Sequence, residues 1–254
     1  MSGYVNSLAR SFIISVVISG LVSAKLSDYT TVCRESDPNL SECLVNSAQK
    51  FLEALKTGIQ EYDLPAIDPM MVPIVDFRKA GMGLTLVIRN STHTGVSNLK
   101  FTNATADPAN YEFEFRTVLP VHTIHGRYTI DGKFMMLPIK GEGNTRIVLS
   151  EYEPGDVEGV WKIKGGPTTK DGVKYMNVES VDVSIEPGMM TVNFDNLFNG
   201  NKLLGDALNE VLNSQWKDLY GYVKPALNKS HSEVLTEFAS KFFSAVPYSE
   251  LFSK

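Results

Sequence analysis

The sequence predicts an α+β fold, because the spacing of its apolar residues changes twice along the chain. Between residues 44 and 59, apolar side chains recur every three or four positions, as on one face of an amphipathic helix. From about residue 74 to residue 195 the spacing becomes two, which is typical of strands with one apolar face. Helical spacing returns between residues 203 and 243. We therefore expect a helix, a run of strands, and a long C-terminal helix packed against the sheet.

The first 24 residues are typical of a secretory signal peptide. Arg10 precedes an apolar run, residues 12–22, and Ala24 ends the leader at a small-residue site. Crossing about 30 Å of hydrocarbon takes about 20 apolar residues, so this run favours a cleaved leader over a retained anchor. We expect residues 25–254 to form one secreted domain, with no stable insertion in a membrane.

The charge of this domain argues against nucleic acid as a partner. Without Arg10 it has 23 basic and 29 acidic residues, a net charge of −6. Proteins that bind nucleic acid or anionic lipid usually carry a basic surface, and the basic residues here are scattered.

The only two cysteines, Cys33 and Cys43, are expected to form a disulfide in a secreted protein. A metal-binding or redox pair is the alternative, but the spacing is not C-x-x-C. Closing this small loop contributes about 2 to 3 kcal/mol of stability. The secretory route also makes four sequons candidates for glycosylation, at Asn39, Asn90, Asn103 and Asn228.

The N-terminal helix is expected to begin at Pro38, with Asp37 as its N-cap, and to continue for about five turns, to Ile59. Three prolines in residues 64–73 exclude a helix there, so we expect an extended segment. Asp131-Gly132 and Asp171-Gly172 are typical of hairpin turns, which indicates an antiparallel sheet of seven or eight strands.

The C-terminal segment is apolar around more than half of its circumference, which predicts a largely buried helix wrapped by one long curved sheet. We expect a kink or break at Pro225, because proline removes one backbone hydrogen bond.

Residues that support catalysis are few, and we expect no catalytic residue, metal ion or cofactor. His122 and His125 are three positions apart, so a strand places them on opposite faces, where one ion cannot take both. His93 and His231 lie in polar stretches and are expected at the surface. Nucleophile-elbow, zinc-protease and phosphate-loop motifs are absent from the sequence.

Methionine is the residue type that points to a binding function. The mature chain has eight, including the pairs at residues 70–71, 135–136 and 189–190. Flexible thioethers suit an irregular apolar cavity that takes a ligand, although they also fill gaps in an ordinary core.

Several segments together resemble the insect takeout and haemolymph juvenile hormone-binding protein family. They are the N-terminal cysteine pair with its helix, residues 64–70 (LPAIDPM), 126–144 (GRYTIDGKFMMLPIKGEGN), 196–216 (NLFNGNKLLGDALNEVLNSQW) and 246–252 (VPYSELF). The hormone carriers of that family usually have a further disulfide, so this chain is most similar to the takeout branch.

The resemblance implies a curved antiparallel sheet that wraps a long C-terminal helix and encloses an apolar tunnel. It also implies a non-catalytic insect carrier of lipophilic ligands, such as juvenile hormone-like terpenoids or fatty acids, in chemosensory, circadian or feeding physiology. In that family the cysteine pair ties the N-terminal segment near the tunnel mouth. A receptor or delivery partner is not identifiable from the sequence.

The apolar periodicity and the family resemblance together select candidate ligand-binding residues. We expect apolar side chains of the strands and of the C-terminal helix to face each other across the tunnel. Tyr128 is expected either to offer its hydroxyl to an ester or epoxide oxygen or to be an ordinary half-buried tyrosine. The full set is Phe113, Phe115, Tyr128, Trp161, Ile163, Met176, Val183, Trp216, Leu219 and Tyr220.

The sequence is also compatible with two other functions. One is an extracellular interaction module whose tunnel is filled by side chains. The other is a secreted lipid-ester hydrolase, which requires a nucleophile near His122 or His125 that faces the tunnel.

Overall fold

A computed structural model describes residues 25–78, 83–134, 137–150 and 156–253. The predicted signal peptide, residues 1–24, lies outside the described residues. The helices are α1 (Leu26–Tyr29), α2 (Leu40–Leu55), α3 (Lys202–Ser214), α4 (Trp216–Ala245) and α5 (Tyr248–Leu251). The strands are β1 (Cys33–Arg34), β2 (Met70–Asp76), β3 (Leu84–Thr94), β4 (Lys100–Asp107), β5 (Glu112–Leu119), β6 (Val121–Phe134), β7 (Leu137–Ser150), β8 (Val157–Lys170), β9 (Val173–Glu186), β10 (Met189–Phe194) and β11 (Phe252–Ser253).

The fold is α+β, as predicted, with a long C-terminal helix packed against antiparallel strands. Hydrogen bonds divide nine of the strands into two sheets, whereas the sequence suggested seven or eight strands in one sheet. The first sheet has five strands in the order β10-β7-β6-β3-β2, and the second has four in the order β4-β5-β8-β9. The short strands β1 and β11 form a separate parallel pair.

One of the two predicted hairpin turns is confirmed and the other is wrong. Asp171-Gly172 joins β8 to β9 with both residues in the left-handed region, as a tight two-residue turn requires. Asp131-Gly132 instead lies inside β6. A Cβ atom on Gly132 would lie 2.5 Å from the Cα atom of Leu84, so this glycine permits the close approach of β3.

The N-terminal helix and the disulfide are confirmed. Helix α2 has Asn39 as its N-cap and runs from Leu40 to Leu55, so it begins two residues later and ends one turn earlier than predicted. Cys33 is bonded to Cys43. Cys33 also pairs with Phe252 in the parallel ladder, so this pairing ties the disulfide-bonded start of the domain to its end. The proline-rich segment leads into β2, an edge strand, where proline is tolerated.

The C-terminal segment is divided at a different residue from the one predicted. Helix α4 continues through Pro225, and the boundary between α3 and α4 lies at Gln215 instead. Val223 and Leu227 are both buried on either side of the proline. Their packing holds the two halves of the helix against one core and outweighs the hydrogen bond that proline removes.

Side chains of the helices cover one edge strand of each sheet, β9 and β10. Asn228, Ser232 and Thr236 lie on one face of α4 and accept hydrogen bonds from the N–H groups of alternate residues of β9. Asn209 and Asn213 of α3 each accept from an N–H and donate to a carbonyl of β10. This pairing satisfies edge groups that would otherwise attract another strand.

The main core lies between the sheets and α4, and α3 is less buried than its composition predicted. Leu208 and Leu212 of α3 are buried, whereas the side chain of Leu203 is 80% exposed. Among the helices that the structure describes, none combines the length and the apolar character needed to cross a membrane.

Candidate functional site

An apolar cavity of about 520 Å³ lies between the four-stranded sheet, α2 and the second half of α4. The proline-rich segment before β2 and the first residues of β2 complete its wall, with Met70 and Met71. Phe252 of β11 also contributes, which places the disulfide-bonded segment beside the cavity. Other apolar residues of the wall are Phe51, Leu52, Leu55, Phe101, Phe113, Phe115, Trp161, Ile163, Val181, Val183, Leu235, Phe238 and Phe242.

Strand register explains why the strands present one continuous apolar face to the cavity. Phe115 is opposite Trp161, and Trp161 is opposite Val183, so the three side chains form one row across β5, β8 and β9. Phe113 and Ile163 begin the next row in the same way. Because side chains alternate between faces, the charged neighbours of these residues point to solvent.

The polar groups of Trp161, Thr117 and Thr30, which lie in the wall, are paired within the protein. The indole N–H of Trp161 donates to Oγ1 of Thr117 at 2.8 Å. The hydroxyl of Thr30 lies 2.5 Å from the main-chain oxygen of Ser47. A ligand next to these groups therefore meets mainly carbon atoms, which favours apolar chains over polar solutes.

Five of the ten predicted ligand-binding residues lie in this wall, and five do not. Those in the wall are Phe113, Phe115, Trp161, Ile163 and Val183. Their contact with a ligand remains a prediction. The other five, which the sequence analysis expected to face the tunnel, are Tyr128, Met176, Trp216, Leu219 and Tyr220.

The five residues that do not line the cavity belong to other parts of the core. Tyr128 lies in the five-stranded sheet, where its hydroxyl donates to the main-chain oxygen of Asp195 and burial raises its pKa to about 12. Trp216, Leu219 and Tyr220 lie in the first turns of α4, and the cavity is lined by later turns. Leu219 instead lines a small second cavity of about 40 Å³ beside the five-stranded sheet.

Two of these groups are already fixed by the protein itself. The hydroxyl of Tyr220 donates to the main-chain oxygen of Ile185, and burial raises its pKa. Met176 is fully buried beneath Gly165, where an added Cβ atom would lie 2.7 Å from its terminal methyl group. Neither side chain is available to a ligand in the main cavity.

The surface positions predicted for two histidines are wrong. His93 and His231 are both buried, and with His122 they form a cluster in which one ring nitrogen of each lies within 4.8 Å of the others. The prediction that His122 and His125 lie on opposite faces of one strand is confirmed, because in β6 His122 is buried and His125 is exposed.

Each error has a local cause. A bulge at Asn90 shifts the alternation of β3, so that Ser91 and His93 turn inward after Ile88. His231 follows Val223 and Leu227 at four-residue intervals, and so belongs to the buried stripe of α4. This four-residue spacing can be read from the sequence, but the polar neighbours of His231 suggested a surface position instead.

Burial keeps the three histidines neutral. It lowers the pKa of His122 to about 3, with repulsion from His231 adding to the effect and the carboxylate of Asp68 opposing it. Burial also lowers the pKa of His93 and of His231. At neutral pH each ring therefore has one nitrogen with a free lone pair.

The geometry of this cluster does not favour the hydrolase hypothesis. Oγ of Ser91 lies 3.0 Å from Nε2 of His93, which resembles a nucleophile and its base. However, neither residue lines the cavity, and the Ser91 hydroxyl donates to the main-chain oxygen of Val72 at 3.1 Å. The hydroxyl is thus not presented to a bound ester.

Comparison with known proteins supports the resemblance seen in the sequence. The family model for haemolymph juvenile hormone binding protein matches residues 12–253. The circadian clock-controlled protein daywake of Drosophila melanogaster is 26% identical over 223 residues, which are 84% of each chain. The daywake protein of Drosophila yakuba is 27% identical over 222 residues, 83% of each chain.

A solved structure shows the same fold. Takeout 1 of Epiphyas postvittana superposes with a TM-score of 0.76 at 22% identity, covering 88% of this chain and 99% of that one. The fold, the family model and the relatives agree with each other. This chain therefore belongs to the haemolymph juvenile hormone-binding protein family, with takeout-like relatives.

Proposed function

We propose that this protein is a secreted carrier that binds a small lipophilic ligand, such as a juvenile hormone-like terpenoid or a fatty acid, in the apolar cavity. The cavity itself is the observation that supports this function. Its volume of about 520 Å³ lies within the range of about 300 to 1,000 Å³ for small-molecule sites. A cavity of this size favours a carrier over an interaction module whose interior is filled by side chains.

Binding in this proposal is driven by removal of the ligand from water. A ligand of fifteen carbons that buries most of them gains about 10 kcal/mol, at about 0.8 kcal/mol per buried carbon. Association costs several kcal/mol, so net affinities between micromolar and nanomolar are expected. The row of Phe115, Trp161 and Val183 supplies much of the apolar surface on the sheet side.

Secretion is part of the proposal. The leader pattern, the Cys33–Cys43 disulfide and the description of the family as haemolymph proteins all support an extracellular location. Glycosylation is proposed at the exposed Asn39, Asn90 and Asn103. Asn228 is half-buried and accepts a hydrogen bond from β9, which makes it a poorer acceptor for a glycan.

Native mass spectrometry of the protein secreted from insect cells tests this function. We expect one bound lipid per chain, which solvent extraction releases for identification. The two tryptophans provide a matched pair, because Trp161 lines the cavity and Trp216 does not. Trp161→Ala should weaken binding of the extracted lipid at least tenfold, whereas Trp216→Ala should leave its affinity within about twofold.

Two results would contradict the carrier function. One is a protein that is free of lipid as secreted and that also fails to take up terpenoids and fatty acids. The other is equal loss of affinity in Trp161→Ala and Trp216→Ala when both variants are folded by circular dichroism. The first result would direct the search to a protein partner.

A further inference from the structure

The buried histidine cluster brings together three elements that are far apart in the sequence. His93 comes from β3, His122 from β6 and His231 from α4, with ring centroids 5.0 to 5.6 Å apart. No other group of three or more potential metal-ligating side chains is this close among the residues that the structure describes. A buried apolar stripe normally excludes such polar rings, so their convergence needs an explanation.

Hydrogen bonds fix which nitrogen of His93 and of His231 carries the proton. The single hydroxyl proton of Ser91 goes to Val72, so Oγ of Ser91 accepts from Nε2–H of His93. Nδ1 of His231 donates to the main-chain oxygen of Leu227 at 2.8 Å. Outer hydrogen bonds of this kind orient histidines that bind metal ions.

The lone pair left on Nδ1 of His93 faces Nε2 of His122 inside the cluster. Nδ1 of His93 accepts a hydrogen bond from Nε2–H of His122, at 3.1 Å. In a tetrahedral zinc site, ligand nitrogens lie about 3.3 Å apart, because each Zn–N bond is about 2.0 to 2.1 Å. This pair therefore already has the separation that one ion requires, once His122 carries its own proton on Nδ1.

The third ligand atom is a buried nitrogen without a partner. Nε2 of His231 is inaccessible to solvent and makes no hydrogen bond, the one such buried side-chain nitrogen or oxygen among the described residues. An unpaired buried acceptor costs about 1 to 3 kcal/mol. A small cation between the three rings would satisfy this acceptor.

We propose that His93, His122 and His231 form a binding site for a first-row transition metal ion, with Zn²⁺ as the reference ion. Imidazole nitrogen is a preferred ligand of this class of ions. The carboxylate of Asp68 is near enough to influence His122 and would offset part of the positive charge. His122 and His231 also lie in the cavity wall, so the proposed site borders the cavity.

Equilibrium dialysis against Zn²⁺, followed by elemental analysis, tests the site on the full secreted protein purified with a histidine-free tag. We expect one Zn²⁺ per chain. His122→Gln should lose this ion, with at least a hundredfold weaker affinity, and His125→Gln is the matched control because it lies exposed on the same strand. Ser91→Ala keeps all three ligands but removes the partner of His93, and should weaken binding about 10- to 100-fold.

Co²⁺ provides a second readout, since its visible absorption reports tetrahedral nitrogen coordination. The spectrum should appear in the wild type and in His125→Gln and be absent from His231→Gln, which also replaces His122→Gln if that variant fails to fold. A wild-type protein that retains no Zn²⁺ at micromolar concentrations would overturn the proposal. Equal Zn²⁺ stoichiometry in the wild type and in His231→Gln would also overturn it.

Discussion

Acidification should destabilise this protein through the three histidines that it buries without charge. In the unfolded chain a histidine binds a proton at a pKa of about 6.5. In the folded protein the pKa of His122 is about 3, and the pKa of His93 and of His231 is also lowered by burial. Between about pH 6.5 and pH 3 the unfolded state therefore binds more protons, so the free energy of unfolding falls as the pH falls.

The size of this effect follows from proton linkage. For one histidine that stays neutral in the folded protein, lowering the pH from 7 to 5 reduces the free energy of unfolding by about 2 kcal/mol. Three such residues give about 6 kcal/mol, a large part of the 5 to 15 kcal/mol that is typical of a domain. Stability is fully present above the unfolded pKa and is lost progressively below it.

Urea unfolding at pH 7, 6 and 5, with a chelator to exclude metal ions, measures this dependence. His231→Gln should remove about 2 kcal/mol of the loss between pH 7 and 5, whatever its effect on stability at pH 7. His125→Gln, at an exposed position on the same strand as His122, is the matched control. The reasoning is refuted if the pH dependence of His231→Gln equals that of the wild type.

Three further changes test the packing of the fold by urea unfolding. Ser232→Ala should lower the free energy of unfolding by about 1 to 3 kcal/mol, because it leaves the N–H of Val183 unpaired, whereas Ser244→Ala at an exposed position should change it by less than about 0.5 kcal/mol. Gly132→Ala should lower the free energy of unfolding clearly more than Gly172→Ala. An added Cβ atom would meet β3 at residue 132, whereas at residue 172 it would meet no atom within 4 Å. The Gly172→Ala variant should therefore lose only about 1 to 2 kcal/mol, from backbone strain. Replacing both cysteines of the disulfide by serine should cost about 2 to 3 kcal/mol. These assignments are contradicted if a glycine variant or the cysteine variant costs less than Ser244→Ala.

Local periodicity predicted the parts of the site that come from single strands. Phe113 and Phe115 alternate with charged residues, and so do Trp161 and Ile163. A strand with this pattern can bury only one face, and the structure buries that face against the cavity. Helix α2 and the α+β order of elements were predictable for the same reason.

Predictions were wrong where the structure depends on contacts between residues far apart in the chain. The polar residues after Arg89 resemble a loop, yet they continue β3 through a bulge and turn His93 inward. Pro225 was expected to interrupt a helix that tertiary packing keeps continuous. Trp216, Leu219 and Tyr220 are apolar and buried or half-buried, but nothing local indicates which sheet they face.

The sequence by itself determined which residues are apolar on one face, which cysteines can pair and which family the motifs resemble. Each of these depends on neighbours within a few residues or on the order of motifs. Only the tertiary structure decided where the cavity lies along α4 and that three histidines meet. Strand register, the bulge in β3 and the path of α4 set these distances. They arise from contacts between residues far apart in the sequence, such as His93 and His231, which are 138 positions apart.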